Sequence, residues 1–265
     1  MDFKIFFRLF LVFFFVVGLY FLGCNYNKFE SDVTPENELS EESSFETSGV
    51  TWDFPFQYGK PGWDSFKSAE EQINAYNIPN EILNRLSTEE LVKVCLNYPE
   101  WGLLYMYNDD RTGFSVLLKN FNGFRELFNR SDAAVELMKE YAKIDPLSVE
   151  PGWTALQQGL FGFQFIKIEL FLSQSSIIRQ LDNAGLRELR ELALSKYKNK
   201  KMLPGIYSAW DLFPTVGVCV NIIEYKNASL LDSKRGEINH FKAYMRSDNK
   251  MFLDSIVELL KNNEL

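Results

Sequence analysis

The chain has 265 residues, 46% hydrophobic and 24% charged, enough for one large domain or two small ones around a sizeable core. Its formal charge of −8 argues against nucleic acid and other polyanions as partners, and its single histidine, His240, excludes metal clusters built on histidine. It carries no P-loop, dinucleotide fingerprint or nucleophile elbow, so nucleotide-dependent and acyl-transfer chemistry lose most of their support.

Lys4 and Arg8 precede an apolar run over residues 9–23 that is rich in Phe, Val and Leu, the make-up of a signal segment. The run ends in Phe21-Leu22-Gly23-Cys24, which resembles the lipobox of bacterial lipoprotein signal peptides, with Phe21 where leucine is usual. That resemblance implies cleavage before Cys24 and acylation of its thiol, with palmitate or a similar chain. The body would then sit outside the cytoplasm, anchored to a bacterial membrane and facing the periplasm or the cell surface. The alternative is an uncleaved membrane helix: the run is shorter than the roughly 18 to 20 residues that span a bilayer, but Ile5 to Phe7 would extend it past a snorkelling Arg8. Loss of residues 1–23 removes a net +1 and leaves the mature chain at −9.

Residues 24–50 read as an acidic, flexible tether. Glu30, Asp32, Glu36, Glu38, Glu41, Glu42 and Glu46 lie among Ser, Thr and Asn with Lys28 opposing them, too little apolar surface to offset ordering entropy. No EF-hand spacing turns these acids into a calcium loop.

In residues 51–63, Trp52, Phe54, Phe56 and Tyr58 alternate at period two among Pro and Gly. This is an extended strap. Its aromatics either close a groove of the body or form an exposed platform for a glycan or peptide, and the spacing suits both.

The helical part follows. Ser87 is placed to cap a helix, with Glu90 completing a capping box and Leu86 and Leu91 a hydrophobic staple. Leu91, Val94, Cys95 and Tyr98 then fall on one helical face, as do Phe114, Leu117, Leu118 and Phe121, and Ala134, Leu137, Met138 and Tyr141. Pro99 ends the first of these helices or opens a short one carrying Trp101, Leu104 and Tyr105. Asn122-Gly123 breaks the second, and Ser131 is the expected cap of the third, which ends at Asp145-Pro146. Residues 153–172 suit a buried helix, although Phe161, Phe163, Phe165, Ile168 and Leu170 also allow a strand pair. Within it Lys167 and Glu169 are expected at the solvent edge. The run of lysines over residues 196–201 reads as a solvated helix C-terminus complementing the helix dipole. Apolar stretches near residues 212–223, 238–245 and 252–260 complete the chain.

Short elements on shorter loops predict an all-α body over residues 51–265: an irregular helical bundle or a helical-repeat-like stack of short antiparallel helices. One domain is expected, with two lobes meeting near residues 145–151 as the alternative. Leu86-Ser87-Thr88-Glu89-Glu90-Leu91, Cys95-Leu96-Asn97-Tyr98-Pro99 and Asn120-Phe121-Asn122-Gly123-Phe124-Arg125-Glu126-Leu127 together resemble a group of uncharacterised lipoproteins from Bacteroidetes-type bacteria. The resemblance implies a secreted, lipid-anchored helical protein and transfers no activity.

No catalytic residue, cofactor or metal ligand is assigned. His240 reads as a surface or structural residue on an amphipathic helix. Cys95 and Cys219 sit in apolar settings that favour buried thiols, with a disulfide between them chemically allowed outside the cytosol. Among 36 acids, Asp109-Asp110 and Asp211 beside Trp210 are the pairings to examine for carboxylate chemistry, though a turn and a helix cap account for them more simply. The leading expectation is a non-catalytic envelope scaffold that binds another envelope protein, in an oligomeric state the sequence leaves open. A glycan- or small-ligand-binding lipoprotein using Trp52, Trp63, Trp101 or Trp210 is the alternative, and a carboxylate-based hydrolase the third.

Overall fold

The computed structural model describes residues 49–56 and 62–263, with only the backbone described at Trp63, Ala69 and Lys250. The described residues are all-α and contain no strand. The chain runs through α1 (Ala69–Ala75), α2 (Asn80–Leu83), α3 (Thr88–Leu96), a 3-10 helix (Pro99–Met106), α4 (Asp110–Asn120), α5 (Asn122–Asn129) and α6 (Ala133–Lys143). It continues with α7 (Ala155–Leu172), α8 (Ser175–Ile178), α9 (Asn183–Lys201), α10 (Ala209–Asn227), a second 3-10 helix (Ala228–Lys234), α11 (Arg235–Tyr244) and α12 (Lys250–Asn262).

The local signals explain most helix starts. Ser87 accepts a hydrogen bond from the Glu90 amide at the start of α3, and the staple residues Leu86 and Leu91 are buried. Glu90 does not return the bond of a capping box; its carboxylate pairs with Lys93 one turn on. Thr154 and Gln157 form a full capping box ahead of α7, which is one uninterrupted helix, so the strand-pair alternative for residues 161–170 is excluded. The residue before α6 is Asp132, not Ser131, and its carboxylate accepts from Thr88 Oγ1 at 2.7 Å, joining the starts of α3 and α6 instead of capping its own helix. Between α4 and α5 the break falls on extended Phe121, while Asn122 begins the new helix and pairs with both backbone groups of Ile78 at 2.9 and 2.8 Å.

The described part of the strap, residues 51–56, lies as its alternation requires, and Tyr58 falls outside the described residues. Trp52, Phe54 and Phe56 are half-buried and packed against the core, while Thr51, Asp53 and Pro55 between them are exposed. The ring of Phe54 sits 5.7–5.8 Å from those of Tyr76, Tyr98 and Phe121. Trp52 is therefore part of the closure of the body and not a free platform.

Two helices organise the core. From Phe213 to Val220 every residue of α10 is buried, a helix apolar all round that must be enclosed on every side. It packs against α7, α9 and α12. The C-terminal half of α7 is buried likewise and links this group to α6 and to the aromatic cluster of Tyr98, Trp101, Phe114, Phe121 and Phe124. The buried side chains form one hydrophobic cluster reaching from Tyr76 to Leu260. Cys95 and Cys219 lie within it as free, buried thiols; burial pushes the Cys219 thiol up to about 12. No helix among the described residues is long and apolar enough to cross a membrane.

Candidate functional site

The starting point is a polar network inside the core. Glu169 of α7 and Lys200 of α9 are both fully buried, contrary to the solvated positions expected from their neighbours in sequence. Lys200 Nζ donates to both Glu169 carboxylate oxygens at 3.0 and 2.8 Å, to Thr215 Oγ1 at 3.0 Å and to the Asp211 carbonyl at 2.9 Å. Glu169 Oε1 also accepts from Tyr141 and Thr215, at 2.6 and 2.8 Å. Burial, then the Glu169 charge, hold the Tyr141 phenol far above its ordinary value, so it remains a donor. A desolvated ion pair is tolerable only when its lone pairs and protons are matched in this way. Lys196, one turn earlier on α9, is buried too and donates to the Ile144 carbonyl. The lysine run is thus not uniformly solvated: helical spacing turns Lys196 and Lys200 inward together. Lys167 likewise donates to the Leu96 carbonyl at 2.6 Å, and burial lowers its ammonium to about 8.

This network underlies a surface site. Pro214 cannot donate to the Trp210 carbonyl, and in the same loosened first turns of α10 the Asp211 carbonyl accepts Lys200 from below. The Asp211 side chain turns back to Ser208, accepting from its amide at 2.7 Å and its hydroxyl at 2.8 Å in a capping box. Asp109 caps α4 in the same manner, taking the Thr112 amide at 2.7 Å and hydroxyl at 3.0 Å. Asp110 has no such task. It is 6% exposed, and its side chain accepts no hydrogen bond among the described residues. Burial raises its carboxyl to about 6; Arg246 opposes that shift, and Asp109 and Asp211 add to it.

Arg246, just past the C-terminus of α11, closes the site. Its guanidinium lies 4.0 Å from the ring centroid of Trp210, and its Nε is buried without a hydrogen-bond partner. Met245 before it adopts the left-handed conformation, with φ of 52°, which turns the chain between α11 and α12. Tyr105 completes the group from the 3-10 helix, its ring 5.3 Å from that of Phe163 and its phenol raised by burial and by the charges of Asp110 and Asp211. Two glycines permit the approach. A Cβ on Gly113 would meet the Leu104 carbonyl oxygen at 2.5 Å, so α4 lies against the 3-10 helix only because that position is bare. A Cβ on Gly162 would stand 3.3 Å from Asp211 Oδ1.

The sequence candidates have different fates. Trp210 is 48% exposed and belongs to this junction. Trp101 is 3% exposed, its indole N–H donating to the Cys95 carbonyl at 2.8 Å, and is a core residue. Trp63 opens a single 3-10 turn, and its side chain lies outside the described residues, as do Cys24 and the signal and tether segments up to residue 48. The carboxylates singled out in sequence, Asp109-Asp110 and Asp211, fall within one another's field. His240 is exposed beside Tyr244. Sequence reasoning passed over Arg246, whose partners lie on distant elements, and used Tyr105 only as an apolar helix position. No three His, Cys, Asp or Glu side chains among the described residues are grouped to hold a metal ion. No protein-family model, curated protein or solved structure matches the chain.

Proposed function

We propose that the protein is a lipid-anchored, extracytoplasmic binding module of a bacterial envelope that contacts a protein partner through the junction of Tyr105, Asp110, Trp210, Asp211 and Arg246. The observation that carries this reading is the exposure of Tyr105, Met106 and Tyr107 on one side and Trp210 on the other, around Asp110, whose carboxyl lies in the field of Arg246. Tyr, Trp, Met and Arg are the residues enriched where proteins meet. Catalysis fits the site less well: Asp211 Oδ2 is engaged by Ser208, so the pair lacks two free carboxylates for glycosidase chemistry. Glycan binding would rest on Trp210, one face of which Arg246 already covers. The anchor itself rests on the lipobox-like Leu22-Gly23-Cys24 and the resemblance to Bacteroidetes-type lipoproteins.

Two experiments test this. Labelled fatty acid is expected to be incorporated by the native chain and not by Cys24→Ala, and undiminished labelling of the variant would remove the anchor. A photo-crosslinking amino acid at Met106 is expected to trap one dominant envelope protein in cells, whereas the same probe at exposed Met251 is not. Equal trapping at both positions would contradict the assignment of the surface.

A further inference from the structure

The strap is held to the body by side chains alone. Residues 49–56 make no hydrogen bond with the described residues, so their backbone groups are left to solvent. Val50, Trp52, Phe54 and Phe56 supply the attachment, each packed against the core but only half-buried. The Phe56 ring meets that of Phe66 at 4.8 Å, and a Cβ on Gly62 would stand 3.2 Å from it, so these partners belong to the segment that follows the strap. Two polar groups oppose the docking: Trp52 Nε1 and the Tyr98 hydroxyl are both buried with no hydrogen-bond partner among the described residues.

The floor beneath is braced by its own helices. Tyr76 follows α1, Tyr98 precedes the first 3-10 helix and Phe121 separates α4 from α5, and all three are at most 2% exposed. Phe121 stacks on Tyr98 at 4.4 Å between ring centroids, and Tyr98 also meets Phe124 at 5.4 Å. Asn122 ties the same chain ends together: its amide donates to Asn77 Oδ1 at 2.9 Å, and its side chain bonds both backbone groups of Ile78. Gln72 of α1 donates to Glu100 Oε1 of the 3-10 helix at 3.0 Å. A few half-buried rings, no hydrogen bonds and two stranded donors, set over a floor that holds itself, are the make-up of a segment that opens by itself. We propose that residues 50–56 are a releasable strap, which leaves the floor of Tyr76, Tyr98 and Phe121 as one unit while the helical body stays folded. Opening gives both stranded donors to water and bares an aromatic groove. This device is independent of the protein-binding junction, and neither reading requires the other.

The test follows chymotrypsin cleavage of the full-length chain in a neutral detergent, read by mass at the bonds after Trp52 and Phe56, across urea concentrations below the unfolding transition. The protease must take the aromatic side chain into its own pocket, so cleavage reports release of the strap. Reaction of the buried Cys95 and Cys219 thiols reports global opening in the same samples. Strap cleavage is expected to change little with urea while thiol reaction climbs steeply. Phe54→Ala is expected to speed strap cleavage by roughly tenfold or more, and Tyr98→Phe, which keeps the ring and removes a stranded hydroxyl, to slow it by about threefold or more. Cleavage that rises with urea in step with thiol reaction would overturn release as a separate event. Rates unmoved by both substitutions would overturn it too, since the strap would then be cut where it lies.

Discussion

Glu169 and Lys200 stand in one buried network although 31 positions separate them, and each is intelligible only through the other. Removing one partner strands a charge in the core. Lys200→Met is therefore expected to cost about 3–5 kcal/mol in denaturant unfolding, and a second change, Glu169→Leu, to recover most of it. A loss below about 1 kcal/mol for the single variant would mean that water reaches the pair. Asp110 behaves differently because no donor is matched to it. Its carboxyl in the folded protein is raised to about 6, against roughly 4 when unfolded, so the folded state holds the proton more tightly between those values. Its contribution to stability is full below pH ~4 and is lost as the pH rises through 6. Asp110→Asn is expected to flatten that slope and to raise stability at pH 7 by on the order of 2–3 kcal/mol. An unchanged slope would place the titration on another group. None of this was legible in local sequence: Lys200 sits in a run that reads as solvated, and Asp110 in a turn that its neighbour Asp109 explains.

At the scale of elements the sequence was far more legible. The Ser87 cap, the alternation of Trp52, Phe54 and Phe56 and the stripes of α3, α4 and α6 all depend on neighbours within a few residues, and each appears in the structure. Misreadings arose where distant chain took over a local group, as when Thr88 claimed the Asp132 carboxylate and when Ile78 claimed the Asn122 side chain. Gly113 is a case of the same kind, since nothing nearby in sequence says that the Leu104 carbonyl will lie against it. Gly113→Ala forces a contact at 2.5 Å with backbone and is expected to cost about 1–3 kcal/mol despite the better helix propensity of alanine. The same substitution at Gly159, which also lies within a helix but has open space around it, is expected to be neutral or stabilising. Equal effects at the two positions, measured by thermal unfolding, would refute the close approach of α4 to the 3-10 helix.

At the largest scale, an enclosed α10 and a strap laid over the aromatic cluster stabilise the body through burial, without a disulfide among the described residues. Cys95 and Cys219 are accordingly expected to resist thiol reagents in the native protein and to react as two free thiols after denaturation without reductant; fewer than two would indicate a bridge. The exposed aromatics Tyr105 and Trp210 beside Asp110 and Arg246 are among the large apolar side chains that this packing leaves at the surface. The most direct measurement is affinity capture of the full-length protein from membranes with quantitative mass spectrometry, comparing the native chain with Trp210→Ala and with Met251→Ala, whose side chain is exposed elsewhere. Recovery of one envelope protein, lost with Trp210→Ala and kept with Met251→Ala, is the predicted result. A partner retained by both variants would show that the junction is not the surface by which this protein binds.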